Sequence, residues 1–132
     1  MSDLPPTAVD TAAWIDWFVR GGPRLDALLR AGRVAVHPWA VYELELGSGI
    51  PGEDRALVAQ LPRVDPVSDQ DAWALGRLLR GVGLGWVDVH MLAATSAAGF
   101  ALMTNDQPLA QAAARLGVDV SANEPVGRRR RR

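Results

Sequence analysis

The stretch ALMTNDQPL, Ala101 to Leu109, joins a short apolar run to a polar segment and then to a proline. Proline suits the first turn of a helix, where its missing N–H would have no partner. The stretch therefore predicts a buried strand at Phe100 to Met103 and a helix at Pro108 to Leu116. Asp106 lies between them, and its carboxylate could either cap the helix or contribute to a site at the strand end.

Outward from this stretch, short apolar runs alternate with segments of helical periodicity. A helix from Trp86 to Ala98 precedes the quoted strand, and Ser68 is a good N-cap for another helix. Runs separated in this way predict an α/β fold, a three-layer α/β/α domain in which helices cover both faces of a short central parallel sheet. The further strands are expected at Ala8 to Asp10, Val34 to Val36 and Val118 to Val120, with weaker strand character at Val64 to Val67.

The first helix, which begins at Thr11, is apolar on nearly all sides. Ala12, Ile15 and Val19 recur at helical spacing, and Trp14 and Phe18 lie on an adjoining face. A helix that is apolar all round needs more than one partner surface. We therefore expect one side of it to contact another chain.

Composition limits the class of protein. The 132 residues suffice for one domain, expected at 1–127, and the five arginines at 128–132 are expected to form a disordered tail. Without that tail, nine of the 14 basic residues remain against 15 acidic ones, so the domain is acidic. The sequence has no signal peptide, membrane span or cysteine, which favours the cytoplasm and excludes thiol catalysis and thiolate metal sites.

Four acids follow predicted strands or lie in the early turns of helices: Asp10, Glu43, Asp88 and Asp106. The carboxyl ends of parallel strands meet at one edge of a sheet, where function gathers in such folds. Four carboxylates brought together there would repel one another unless a cation compensates them. Mg²⁺ or Mn²⁺ is the natural cation for a site made of oxygen ligands.

Spacing separates these acids from their neighbours. Glu43 and Glu45 point about 200° apart on a helix, so only one of them can face the edge, and Asp88 and His90 have the same relation. His90 is a lesser candidate for a proton donor or ligand, whereas His37, which precedes a proline, is expected to be structural. A second group of acids surrounds a turn and a helix start, where capping or solvated roles are expected: Asp65, Asp69 and Asp71.

Four segments together carry a family resemblance: VDTAAWIDWF, VHPWAVYELELG, GLGWVDVHMLAA and LMTNDQPLAQAAARLGV. In this order they resemble PIN-domain endoribonucleases, particularly the toxins of VapC-type toxin–antitoxin pairs, from about Val9 to Val120. The resemblance implies catalytic acids at Asp10, Glu43, Asp88 and Asp106. It selects Glu43 rather than Glu45.

The resemblance also implies a chemistry. Asp10, Asp88 and Asp106 would bind Mg²⁺, with Mn²⁺ as a substitute, and Glu43 would bind it directly or through water. Thr11, Thr104 and His90 are candidates for orienting the substrate. Asn105 stands where relatives often have Arg or Lys, which weakens any expectation of a basic phosphate contact there.

The expected function is metal-dependent cleavage of RNA by the growth-inhibiting toxin of a toxin–antitoxin pair. Its expected partners are RNA, a small antitoxin and a second copy of the chain. Two alternatives stay open: a PIN nuclease of RNA maturation or turnover without an antitoxin, and a PIN-like interaction protein without catalysis.

Overall fold

The computed structural model describes residues 6–124 and residue 126. Within them no helix is long and apolar enough to cross a membrane. The predicted tail at 128–132 and the predicted domain limit at 127 lie outside the described residues and stay predictions. The described elements are β1 (Thr7–Val9), α1 (Thr11–Arg20), α2 (Pro23–Arg30), β2 (Val34–Ala35), α3 (Pro38–Leu46), α4 (Gly52–Ala59), α5 (Asp69–Leu78), α6 (Trp86–Ala98), β3 (Ala101–Met103), α7 (Gln107–Arg115) and β4 (Val120–Ser121).

The four strands form one parallel sheet in the order β2-β1-β3-β4. Successive residues of a strand point to opposite faces, and the core divides accordingly. Val9 and Met103 pack into one apolar cluster with α1, α2 and α3, whereas Ala8 and Leu102 pack into a second cluster with α7. Both faces of the sheet are therefore buried beneath helices, and the predicted α/β fold is confirmed.

The sheet places four helix starts at its carboxyl edge. Helices α1, α3 and α7 begin directly after β1, β2 and β3, and α6 runs antiparallel to β3, into which it leads. The first turns of α1, α3, α6 and α7 therefore lie at the same edge. This is the edge at which the four predicted acids are expected to lie.

Two strand predictions need correction. Val64 to Val67 forms no strand: only an isolated bridge joins Val36 to Arg63, and Pro66, which has no N–H, prevents a longer ladder. Asp106 consequently follows the third strand in chain order, not the fourth. The last strand begins at Val120 rather than Val118, because the Val118 N–H closes the end of α7 by donating to the Ala113 carbonyl.

Of the two apolar faces of α1, the structure buries the aromatic one. Trp14, Trp17 and Phe18 are buried with Ala13, whereas Ile15 and Val19 are 43% and 40% exposed. The stripe through Ala12, Ile15 and Val19 is therefore the exposed apolar side of the helix. The aromatic side chains bury more apolar area than the aliphatic ones, and they decide the orientation of the helix.

Candidate active site

Asp10 is a buried carboxylate at the junction of β1 and α1. It caps α1 by accepting a hydrogen bond from the Ala13 N–H at 2.7 Å. Its other oxygen accepts a hydrogen bond from the Thr104 hydroxyl, which comes from the end of β3. Asp10 is only 5% exposed. Two hydrogen bonds thus fix its orientation at the edge of the sheet.

Asp106 has the same relation to α7. Its carboxylate accepts a hydrogen bond from the Leu109 N–H at 3.0 Å, and its own N–H donates to the Thr104 hydroxyl at 3.0 Å. Thr104 therefore bridges the two acids. Asp106 is a helix cap, as one interpretation of the quoted stretch requires, and it also lines the same pocket as Asp10. The two roles are compatible because the cap occupies only one carboxylate oxygen.

Glu43 reaches the pocket from the second turn of α3. Its Oε1 accepts a hydrogen bond from the Thr11 hydroxyl at 2.6 Å, which joins α3 to the start of α1. Glu45, two positions later, is exposed and does not line the pocket. Of the two glutamates that the spacing sets on opposite sides, the structure brings to the pocket Glu43, the one that the resemblance selects.

Asp88 lies in the first turn of α6, whose N-cap is Gly85. Its carboxylate accepts a hydrogen bond from the Gly85 N–H, as the acid of a capping box does. A helix N-terminus favours a negative charge, so this acid is held at the edge by local structure of its own.

These four acids line one open pocket of about 310 Å³. They arrive from four different elements or junctions, and the pocket wall between them is completed by Thr11, Ala12, Ile15, Val87 and Met91. The structure thus brings together all four acids and Thr11, and Thr104 supports Asp10 from behind.

The negative charges of these acids raise the pKa values of Asp10 and Asp88. Burial raises the pKa of Asp10, although the hydrogen bonds from Thr104 and Ala13 partly oppose it, and the charges of Asp88 and Asp106 raise this pKa further. Burial also raises the pKa of Asp88, as do the charges of Asp106 and Glu43, against the Gly85 hydrogen bond. Clustered carboxylates with raised pKa values are typical of sites that bind a cation or act as acids and bases.

The donor set suits a hard divalent cation, because the described lining offers carboxylate and hydroxyl oxygens and no imidazole, and the soft thioether of Met91 is a poor ligand for such a cation. Among the described residues, however, no three His, Cys, Asp or Glu side chains are close enough to hold one metal ion in their present rotamers. Thr11 and Thr104 each donate to one oxygen of an acid, Glu43 and Asp10. With those hydrogen bonds in place, metal binding would require the four acids to draw closer together.

His90 does not join the acids. It is buried, its Nε2 lies 2.9 Å from Asp69 Oδ1, and its ring contacts those of Trp39 and Trp86 at 4.4 and 4.6 Å between centroids. Because it points to the side of α6 away from Asp88, its predicted role in orienting substrate finds no support in this geometry. Its pairing with Asp69 was not foreseen from sequence, since nothing local relates two residues of different helices.

His37 is structural, as expected. Its Nδ1 accepts a hydrogen bond from the Trp39 N–H at 3.1 Å and so caps α3. Burial, together with the nearby His90, lowers the pKa of His37 to about 4. The ring is therefore neutral at physiological pH, which a nitrogen that accepts a hydrogen bond requires.

Sequence reasoning missed Asn123. Its Nδ2 donates to Asp16 Oδ2 at 2.7 Å and to the Gly21 carbonyl at 3.2 Å, and its N–H donates to Asn105 Oδ1 at 2.9 Å. A Cβ on Gly22 would stand 2.1 Å from Asn123 Oδ1, so only glycine allows this approach. The segment after β4 is thus fixed against α1 and beside Asp106, and no local sequence signal marks it.

Comparisons with known proteins agree with this fold. The PIN domain matches residues 7–115. The crystal structure of PAE2754 from Pyrobaculum aerophilum superposes with a TM-score of 0.62, covering 86% of this chain and 96% of that chain at 15% sequence identity. At this identity the likeness concerns the fold alone. No curated protein sequence matches the chain.

Proposed function

The chain belongs to the PIN-domain family, and from this premise we propose that it is a metal-dependent endoribonuclease that acts as the toxin of a toxin–antitoxin pair in the cytoplasm. PIN domains are generally nucleases, and they typically use divalent metals. The observation that carries the proposal is the single pocket lined by Asp10, Glu43, Asp88 and Asp106.

Asp10, Asp88 and Asp106 would hold Mg²⁺ or Mn²⁺, with Glu43 binding directly or through water. The cation would activate water for attack on a phosphodiester and neutralise charge in the transition state. A positive charge at this point would also let an acidic domain approach a polyanion, because it reverses the local sign.

The chain's own residues prepare the pocket. The Thr104 hydroxyl orients the buried Asp10, and the Thr11 hydroxyl orients Glu43. Such supporting hydrogen bonds fix the rotamers of ligands, and their loss typically weakens metal affinity or activity about 10–100-fold. The raised pKa values of Asp10 and Asp88 mean that protons compete with a cation for these acids, so metal affinity should rise with pH.

The partner part of the proposal is supported by α1 and α3. Ile15 and Val19 of α1 are partly exposed, and Tyr42 and Leu46 of α3 are 58% and 87% exposed. Contiguous exposed apolar side chains mark interaction surfaces. Since Ile15 also lines the acidic pocket, an antitoxin bound on α1 would stand at the pocket mouth. A second copy of the chain would be able to cover the exposed apolar side chains of α3.

The direct test is cleavage of an end-labelled single-stranded RNA by the purified protein. Cleavage should appear with Mg²⁺ or Mn²⁺, disappear in chelator, and return when metal is restored. Asp10→Asn, Asp88→Asn and Asp106→Asn should not cleave, whereas Glu45→Gln should cleave like wild type. Cleavage that survives chelation, or that all three Asn variants retain, would refute the metal-dependent mechanism.

Expression tests the toxin role separately. Growth should stop when the chain is expressed alone and resume when the protein encoded by a neighbouring gene is co-expressed. An RNA-cleaving protein that leaves growth unaffected would instead support the nuclease of RNA maturation. A protein that neither cleaves RNA nor arrests growth would support the non-catalytic alternative.

A further inference from the structure

A second pocket adjoins the acidic one at the carboxyl ends of β3 and β4. Its volume is about 350 Å³, within the range of about 300–1,000 Å³ usual for small-molecule sites. Asp106 lines both pockets. A ligand in the second pocket would therefore lie directly beside any group bound by the four acids.

The lining of this second pocket, among the residues that the structure describes, combines polar and apolar side chains and carries no positive charge. Asn105 and Gln107 contribute amides, Thr104 and Ser121 hydroxyls, and Asp106 a carboxylate, and none of the arginines that the structure describes lines it. Phosphate groups are recognised chiefly by arginine, lysine or helix N–H groups, and a carboxylate repels them. The chemistry of the described lining thus favours a neutral ligand that both donates and accepts hydrogen bonds over a phosphate.

The wall of the second pocket is held in place. Asn105 Oδ1 accepts the hydrogen bond from the Asn123 N–H, so its amide nitrogen is the end that it can present to a ligand. Asn123 is itself anchored by Asp16 and the Gly21 carbonyl. Preorganised polar groups of this kind give a binding site specificity, because they do not have to be ordered when the ligand binds.

We propose that this pocket, lined by Asn105, Gln107, Ala110 and Ser121 beside Asp106, binds one unpaired nucleoside of an RNA strand next to the phosphate that is cleaved. Asn and Gln amides match the paired donors and acceptors of a base edge. The Asp106 carboxylate can accept a hydrogen bond from a ribose hydroxyl, and the 2′-hydroxyl is what distinguishes RNA from DNA. A base must be unstacked to enter a pocket, so the substrate is single-stranded. This inference rests on the proposed function, since it assigns the cleaved phosphate to the acidic pocket.

Two variants and one control test the pocket without altering an acid. Ala110→Leu fills it, and Gln107→Leu removes an amide while keeping the side chain's length. Gln111→Leu makes the same change one turn further along α7, where Gln111 is exposed and does not line the pocket. Equal melting temperatures of the three variants would show that they remain folded.

The first measurement does not depend on cleavage. The metal-free protein is titrated separately with adenosine, guanosine, cytidine and uridine, and backbone amide NMR shifts are followed. At least one nucleoside should give saturable shifts at residues 105–107 and 121–122, with affinity at least about fivefold weaker in Ala110→Leu and Gln107→Leu and unchanged in Gln111→Leu. Shifts confined to other residues, or none with any nucleoside, would overturn the proposal.

The second measurement is the base preference of cleavage, obtained by sequencing the ends of a randomised RNA pool. Ala110→Leu and Gln107→Leu should change the preferred base beside the cut, whereas Gln111→Leu should keep the wild-type preference. If wild type cleaves RNA but the pocket variants keep its preference, the nucleoside site is wrong and the nuclease stands. If wild type binds a nucleoside at residues 105–107 but cleaves no RNA, the proposed function fails and the binding site stands.

Discussion

Two groups of acids in this protein differ in whether their members meet at one site, and their distances in the sequence would suggest the opposite result. Asp65, Asp69 and Asp71 lie within seven positions of one another, yet all three are exposed, and none lines the acidic pocket. Asp10 and Asp106, by contrast, are 96 positions apart in the sequence and share the hydroxyl of Thr104. The acids that meet are those that are far apart in the chain.

The parallel sheet accounts for this difference. Because β1 and β3 are paired in register, Val9 opposite Met103, the residues after them emerge side by side at one edge. Asp69 and Asp71 instead belong to the first turn of α5, which follows no strand of the sheet and packs on α6, and Asp69 points toward His90. A cluster of acids in the sequence is therefore weak evidence for a site, whereas acids at equivalent strand ends are strong evidence.

The largest effect that separates the two groups is on RNA cleavage. Asp10→Asn, Asp88→Asn and Asp106→Asn should each lower kcat/KM at least about 100-fold, because loss of a ligand costs more than loss of its supporting hydrogen bonds. Asp65→Asn and Asp71→Asn should stay within about twofold, as surface substitutions usually do. Initial rates of cleavage of one labelled RNA by wild type and each variant measure this difference. A comparable loss in Asp71→Asn would place α5 in the site.

Within one helix, Glu43 and Glu45 offer a sharper form of the same comparison. Glu43→Gln should lower cleavage about 10-fold, because the side chain lines the pocket and binds Thr11. Glu45→Gln should change it less than about twofold. Both variants are measured at saturating metal and again at limiting metal. A larger defect for Glu45→Gln would show that α3 is rotated from the phase described here.

A smaller effect is expected on thermal stability. In chelator, Asp106→Asn should melt about 2–5 °C above wild type, because the amide still caps α7 while repulsion from Asp10 and Asp88 is relieved. Mg²⁺ or Mn²⁺ should then raise the melting temperature of wild type more than that of the variant. Asp71→Asn serves as the control and should respond to metal as wild type does. Equal responses of Asp106→Asn and wild type would leave Asp106 with the capping role alone.

The smallest expected effect is a pH dependence. The folded protein raises the pKa of Asp88, through burial and then the charge of Asp106, so the folded state holds this proton more tightly than the unfolded state does. As pH rises from the ordinary pKa of 3.8 to the raised pKa of the folded state, the folded state is progressively destabilised. Above the raised pKa the whole loss of stability is present. Metal-free Asp88→Asn should therefore gain stability over wild type between about pH 4 and about pH 7.

Urea unfolding at the two pH values measures this gain, with Asp65→Asn as the matched control for the loss of one exposed charge. The free energy of unfolding of Asp65→Asn relative to wild type should change less with pH than that of Asp88→Asn. A stability difference for Asp88→Asn that shrinks toward neutral pH would contradict the raised pKa.

Much of the fold could be predicted from local patterns. Helix α6 begins at Trp86 and ends at Ala98 as expected, where Gly99 adopts a positive φ and ends it. Ser68 caps α5 as expected, since its hydroxyl accepts the Asp71 N–H. These features depend on residues a few positions apart. Which apolar face of α1 is buried, and the absence of a strand at 64–67, depend instead on which surfaces and strands lie opposite, and periodicity alone does not contain that information.

The features of the candidate site likewise divide into those set by local sequence and those set by tertiary packing. The sequence by itself determined that Asp10, Glu43, Asp88 and Asp106 stand at strand ends or in early helical turns, because apolar runs, prolines and helix periodicity mark those positions locally. Only the tertiary structure decided that Thr104 joins Asp10 to Asp106, that His90 turns away to Asp69, and that Asn123 holds Asn105 beside the acids. These contacts are set by the parallel order of the strands and the packing of helices on both sheet faces. Side chains distant in sequence become neighbours only when that packing forms.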